Sequence, residues 1–412
     1  MKTGILYIVL CIFCIISCTK DVENPPLQVD ENKITADVAD FGEANYAFAF
    51  DLLHETINRA EPGKNAIISP LSVHIALQMV LNGADGDTYT AISQVLHSEV
   101  FTESTLNKAY TELLDYLTTA DSKSAINVAN SVFWDQSGMT PNTTFMESMQ
   151  NFYSAHLEAL DFSSPEALTT INDWVNTQTE GRIEKILEEI KPEEIMFLIN
   201  ALYFKGDWEI PFPEEGTVDT EFKLSDGNLI PVPMMSLDYY FQFYMGNDMQ
   251  AVDLVFGDSA YSMTFIRPFN DDDPIDPFIQ NMSGDHLKQL WNSRLQRSRL
   301  YLKLPKFEIE YDINLNDVLK GLGMEIAFDR NKANFSRLGT SIGNLFISRV
   351  KHKTFLKIDE TGAEGAAVTA VGVAVTSAPP TLSFNRSFLI VLRDIKHNSI
   401  LFAGKIENPL EE

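Results

Sequence analysis

The run Ile195-Met-Phe-Leu-Ile-Asn-Ala-Leu-Tyr-Phe204 is apolar at odd and even positions alike. Successive side chains of a strand point to opposite faces, so this run must be covered on both and belongs in the middle of a sheet. Asn200 stands at its centre. A buried amide without partners costs roughly 1 to 3 kcal/mol, so other polar groups must gather around it.

Further strands read at Ala125 to Trp134, Met249 to Phe256, Ser262 to Arg267 and Leu300 to Tyr311. Leu345 to Asp359 alternates, with Val350, His352, Thr354, Leu356 and Ile358 on one face and Lys351, Lys353, Lys357 and Asp359 on the other. His352 therefore points at the core, where a histidine is ordinarily a satisfied structural group. Phe384 to Ile406 reads as two strands around a turn at Lys396-His-Asn-Ser399. Helical spacing of Phe41, Ala44, Phe48, Leu52 and Ile57 predicts a helix over Ala39 to Asn58. Asn65 to Ala84 supplies a short strand, Ser69 as N-cap, Pro70 at the first helical position and Asn82-Gly83 as the stop. Helices also fit Thr102 to Leu117, Phe145 to Phe152, Glu166 to Thr179 and Asp285 to Arg297. The total is an α+β chain with large sheets and helices beside them.

The N-terminus stands apart. Thirteen almost wholly apolar residues, Ile5 to Ser17, are too few to span a bilayer and read as an export signal. Ile15-Ile16-Ser17-Cys18 resembles a bacterial lipobox, which implies cleavage after residue 17, acylation of Cys18 and a polar tether over residues 18–40. The expectation is an exported protein anchored by lipid to a bacterial membrane, at the outer membrane or cell surface. All three cysteines lie in this leader, so the folded part has no disulfide, thiol nucleophile or thiolate metal site. The roughly 395 residues left after cleavage (412 − 17) show no internal linker or repeat, and 41–412 reads as one large domain. A net charge of −27 argues against nucleic acid and heparin-like polyanions as partners.

One stretch resists a simple reading. From Gly365 to Asn385 the chain carries no charge, and the small and β-branched residues between 360 and 380 alternate like a strand. Yet Gly362, Gly365 and Gly372 weaken a strand, and Pro379-Pro380 ends it. Such a segment can join a sheet without being fixed there by local preference.

Catalytic patterns do not hold up. Gly339-Thr-Ser-Ile-Gly343 has the spacing of a nucleophile elbow, with Asp359 and His397 following in order, but that turn needs a strand before and a helix after. Here an irregular segment precedes it and a strand follows. Asp271-Asp-Asp273 lacks the glycine and ligand spacing of a cation loop and reads as a solvated loop before Pro274. No metal, cofactor or enzymatic activity is expected.

Four long stretches together resemble the serpin family. They are Asn65-Ala-Ile-Ile-Ser-Pro-Leu-Ser-Val73, Ile171-Asn-Asp-Trp-Val-Asn176 with Thr179, Gly181, Arg182 and Ile183, Leu198 to Phe212, and Phe384-Asn-Arg-Ser-Phe-Leu-Ile-Val-Leu392. The resemblance implies the serpin fold: a large central mixed sheet, smaller sheets, about eight to nine helices and an exposed reactive-centre loop over 360–380. It makes Glu360, Gly362, Ala363, Glu364, Gly365, Ala366 and Ala367 the hinge of that loop. Ser69, Ser72, Asn200 and His352 correspond to the family's shutter, and Trp208 to its breach. Counting along the family's loop places the scissile bond at Thr376-Ser377, with Val375-Thr376 and Ala374-Val375 as alternatives.

The implied function is suicide inhibition of a serine protease. Thr376, preceded by Val373-Ala-Val375, suits an elastase- or subtilisin-like pocket and not a trypsin-like one. Ala363 and Gly365 depart from the family's hinge, and the glycine costs an inserted strand about 0.5 to 1 kcal/mol. A monomer is expected. Two rivals remain: a non-inhibitory member acting as a binding or chaperone-like protein, and a hydrolase built on Ser341.

Overall fold

The computed structural model describes residues 31–363 and 378–411, with side chains from residue 41 onward. Cys18, Glu364, Gly365, Ala366, Ala367, Thr376 and Ser377 therefore lie outside the described residues, as do the signal peptide and most of the loop.

The helices that matter here are α1 (Glu31–Arg59), α2 (Pro70–Gly83), α3 (Gly86–Val95), α4 (Glu103–Thr119), α5 (Thr143–Tyr153) and α6 (Pro165–Gln178). They are followed by α7 (Ile275–Gln280) and α8 (Gly284–Gln289). The strands are β1 (Ala66–Ile68), β2 (Ser124–Asp135), β3 (Met139–Pro141), β4 (His156–Leu160), β5 (Met196–Asp207) and β6 (Val218–Lys223). Next come β7 (Leu229–Met245), β8 (Met249–Phe256), β9 (Tyr261–Pro268), β10 (Gln296–Pro305), β11 (Phe307–Asn314) and β12 (Gly339–Ser341). The last five are β13 (Lys351–Ile358), β14 (Gly362–Ala363), β15 (Thr381–Ser383), β16 (Phe388–Asp394) and β17 (Ile400–Ile406).

A nine-stranded mixed sheet runs β1-β17-β16-β9-β8-β7-β10-β15, with β6 also on β7. β7 is long enough to serve β6 along its first half and β8 along its last four residues, while β10 follows its other edge. A second group of strands is divided: β14-β5-β2-β4 on one side and β11-β13 on the other. β12 pairs with β3 apart from both.

β5 answers the reading of a doubly covered strand. Leu198, Leu202 and Phe204 face the main core, while Phe197 and Ile199 pack with Ile171 of α6, Leu187 and Phe133 of β2. Local signals act as expected in α2, where the Ser69 side chain accepts from the Ser72 N–H and Pro70 opens the helix. Thr102, Asn142 and Ser164 cap α4, α5 and α6 in the same way.

Several boundaries differ. α1 begins at Glu31, so the last ten residues of the segment read as a tether, 31–40, are helical. Leu300 to Tyr311 is two strands in two sheets, broken at Lys306. The inward residues are Leu300, Leu302 and Leu304 before the break and Phe307 and Ile309 after it, a change of parity that a single flat strand cannot make. Only Lys351–Ile358 of the stretch from Leu345 is a strand. Before it, Val350 donates to the Asn316 side chain and Ile347 to the Ala327 carbonyl, so these backbone groups are satisfied away from any ladder. The helix expected to reach Arg297 ends at Gln289, followed by a single wide turn to Arg294, and Arg297 belongs to β10. α3 and β7 lie outside the elements that the sequence pattern predicts.

Candidate functional site

The junction of β13, β14 and the end of β5 is built from backbone outward. After Ile358 the chain turns through Asp359-Glu360-Thr361 and returns as β14, with Gly362 opposite Asp207 and Ala363 opposite Gly206. The Asp359 carboxylate shapes the turn by accepting from the Thr361 N–H (2.9 Å), the Thr361 hydroxyl (2.6 Å) and the Gly362 N–H (3.3 Å). Glycine is required at 362: φ is +149°, and a Cβ would stand 2.0 Å from the Gly206 carbonyl oxygen. Ala363 is 1% exposed, so its methyl is accommodated and a larger side chain is not.

Three hydrogen bonds clamp this turn to the chain leaving β5. The Trp208 N–H donates to the Thr361 carbonyl (2.7 Å), its indole N–H to the Asp359 carbonyl (3.0 Å), and the Phe212 N–H to the Glu360 carbonyl (2.8 Å). The indole is held by a stacked contact with Phe256, ring centres 4.2 Å apart. Glu360 turns inward to the Thr217 hydroxyl (2.6 Å) and the Lys306 ammonium (2.7 Å). Burial alone raises its carboxyl; Lys306 and Thr217 outweigh that and hold it below the ordinary glutamate value. Sequence reasoning misses both Lys306 and Thr217. Lys306 carries a signal in retrospect, as the residue where the inward parity of β10 and β11 changes; Thr217 carries none.

Lower down, polar groups from five elements meet. The Ser69 N–H donates to His352 Nε2 (2.9 Å), which ties the start of α2 to β13. The Ser72 hydroxyl donates to the Asn200 carbonyl on β5 (3.5 Å), the Asn200 amide to Asn130 Oδ1 on β2 (2.9 Å), and the Asn130 amide to the Tyr153 carbonyl ending α5 (2.8 Å). Burial pushes His352 down to about 4, with a smaller opposing pull from Asp312, so the ring is a neutral acceptor at physiological pH. Asn200 Oδ1 has no hydrogen-bond partner among the described residues. A cavity of about 60 Å3 lies here, lined by Ser69, Ser72, Asn200 and His352. Ser69, Ser72, Asn200 and His352 are thus one cluster; Trp208 and the hinge residues Glu360, Gly362 and Ala363 form another.

No catalytic centre assembles from the sequence candidates. The Ser341 hydroxyl donates to the Gly343 carbonyl, His397 lies beside Asp394 at 3.2 Å, and Asp359 is committed to the hinge turn. Asp271 is held by Arg267 and Arg386, Asp272 by Lys223 and Asp273 by Asn270. Among the described residues no cluster of histidine, cysteine and carboxylate could hold a metal ion, and no helix is long and apolar enough to cross a membrane.

Residues 43–409 match the family model for the serpins, serine protease inhibitors. The chain belongs to the serpin family. It is 33% identical to a serine protease inhibitor of Rattus norvegicus over 89% of this chain and 88% of that one. It is 32% identical to alpha-1-antichymotrypsin of Pongo abelii over 99% and 98%. Among solved structures, the thermophilic serpin tengpin in its native state superposes with a TM-score of 0.81 at 30% identity, over 92% of this chain and 95% of that one. The serpin fold is therefore established, and the family model describes its members as serine protease inhibitors.

Proposed function

We propose that this serpin is inhibitory and acts by suicide cleavage of its reactive loop. The observation that carries the reading is β14: Gly362 and Ala363 already pair with the end of β5, on the edge that faces β13. A cut loop continuing from Ala363 to Val375 would extend that pairing downward between β5 and β13. In the proposed reaction the protease's serine attacks the carbonyl of Thr376, the amine of Ser377 leaves with a proton, and an ester joins protease to inhibitor. Insertion of the freed strand competes with hydrolysis of that ester. It adds about a dozen backbone hydrogen bonds, each contributing roughly 1 kcal/mol. Thirteen residues at about 3.3 Å each carry the protease tens of ångströms, enough to distort its active site.

Trp208, Glu360 and Gly362 then form the start of the insertion path, and Ser69, Ser72, Asn200 and His352 the polar cluster the strand passes. The uncharged stretch before Ser377 favours elastase- or subtilisin-like targets. With Cys18 acylated, the inhibitor works as a monomer tethered to a bacterial surface, shielding it from host or competitor proteases. The test is to mix the soluble form with neutrophil or pancreatic elastase or subtilisin and run denaturing gels. A surviving covalent complex and a released peptide beginning at Ser377 are expected. Cleavage with no complex for any of these enzymes overturns inhibition.

A further inference from the structure

The outer face of β7 and β10 combines aromatic rings with positive charge, in a chain whose net charge is −27. Leu300, Leu302 and Leu304 go to the core, so Arg299, Tyr301 and Lys303 take the opposite face. The register sets Arg299 against Tyr240 and Arg297 against Gln242. Tyr240 is 54% exposed, and the Lys303 ammonium lies 5.6 Å from the centre of the Tyr301 ring. Asp238 is matched by Arg299 at 2.7 and 2.8 Å, which leaves Arg297 and Lys303 as the excess charge on these strands, with Glu209 lining the groove beside Tyr240 and Arg297 as one nearby counter-charge. Beyond Lys303 the sign reverses: its register partner Ser236 donates to the Gly216 carbonyl, at the end of the turn bearing Glu214 and Glu215. The basic strip is therefore bounded.

Its place relative to the loop is set by β15. Thr381 pairs in parallel with Tyr301, and the Tyr301 N–H donates to the Pro380 carbonyl at 2.9 Å. Three residues, Ala378, Pro379 and Pro380, separate β15 from Ser377. Four peptide steps, about 14 Å at full extension, thus link Ser377 to Thr381, which lies one strand spacing of about 4.8 Å from Tyr301, and the two prolines stiffen the link. A standard protein interface covers about 800 Å2 per partner, a disc of about 16 Å radius and comparable to that link, so in this reading a protease cutting beside Ser377 reaches the strip from its β15 side. With a screening length of about 8 Å at physiological salt, the sign of this strip outweighs the distant net charge for whatever docks there.

We propose that Tyr240, Arg297, Tyr301 and Lys303 form a second contact for the target protease, one that favours enzymes whose surface beside the active-site cleft is acidic. This deepens the inhibitor reading and rests on it. The experiment measures second-order rate constants with a subtilisin-type protease chosen for carboxylates around its cleft. The Arg297→Glu/Lys303→Glu double variant is expected to react about tenfold more slowly than wild type at 50 mM salt and within about twofold at 1 M. Tyr240→Ala is expected to lose roughly fivefold at both, because apolar contact is not screened. A protease variant with those carboxylates changed to lysine reverses the order, reacting faster with the double variant; this keeps the test free of any folding defect in the serpin. Equal rates for all partners at both salt concentrations overturn the proposal. If wild type is cleaved without a surviving complex, inhibition fails, while kcat/KM for loop cleavage still reads the strip.

Discussion

In the nine-stranded sheet, β16 lies between β9 and β17, and every residue of Phe388–Asp394 and Ile400–Ile406 is buried. In the divided sheet, β5 is bonded to β2 along one edge, but on the other only Gly206 and Asp207 have a strand partner among the described residues. β13 is bonded to β11 along its full length, and no ladder among the described residues joins it to β5. Both sheets use the same backbone groups. The difference is that the interior strands of the first are saturated by neighbours, whereas the second holds two facing edges bridged by side chains: Ser69 with His352, Ser72 with Asn200. Changes in the saturated sheet should alter how stable the molecule is; changes along the facing edges should alter what it can become.

The largest expected effect comes from Ala363→Arg. A guanidinium at a site 1% exposed, opposite Gly206, would be buried without a counter-charge and opposes entry of the strand. Cleavage of the loop should continue while the covalent complex disappears from denaturing gels; an unchanged yield of complex breaks the comparison. Phe388→Ala, in the saturated sheet, should cost about 3 to 5 kcal/mol by denaturant unfolding yet leave the ratio of complex to cleaved product as in wild type.

A pH effect should be smaller and confined to one window. His352 is held at about 4 against an ordinary 6.5, so the unfolded chain binds the proton first. The stability this neutral ring contributes is present above pH 6.5 and is lost as pH falls toward 4, at up to about 1.4 kcal/mol per unit. The buried His74 is depressed to the same value and adds its own slope, so His352→Gln should remove only part of the effect. Chemical denaturation between about pH 4 and 7 measures this; an identical pH profile for the variant refutes it. Trp208→Phe should have the smallest effect, about 1 kcal/mol, by losing the indole bond to Asp359 while keeping the stack on Phe256. Faster amide exchange at Thr361 and Gly362 is the local readout.

Much of this was legible in the chain. The cap at Ser69 and the two-faced apolar run of β5 are local or periodic signals, and the inward face of His352 follows from alternation alone. What local pattern could not show is where a strand leaves one sheet for another. Leu300 to Tyr311 is continuous in hydropathy, yet Lys306 divides it and thereby reaches Glu360. Leu345 to Val350 has the composition of a strand, but its hydrogen bonds go to Asn316 and Ala327. Arg297 has the spacing of a helix end and lies instead on β10, opposite Gln242 of β7.

The sequence by itself determined that a doubly apolar strand with a polar centre would need polar company, and that residues 360 to 380 could enter a sheet without being committed to it. Both follow from side-chain alternation and the strand-weakening glycines, which act over a few residues. Only the tertiary structure decided that Gly362 and Ala363 pair with the end of β5, that Lys306 and Thr217 receive Glu360, and that Tyr301 and Lys303 lie beside β15. Those contacts join residues far apart in the chain, and their geometry is set by how the sheets pack rather than by any local preference.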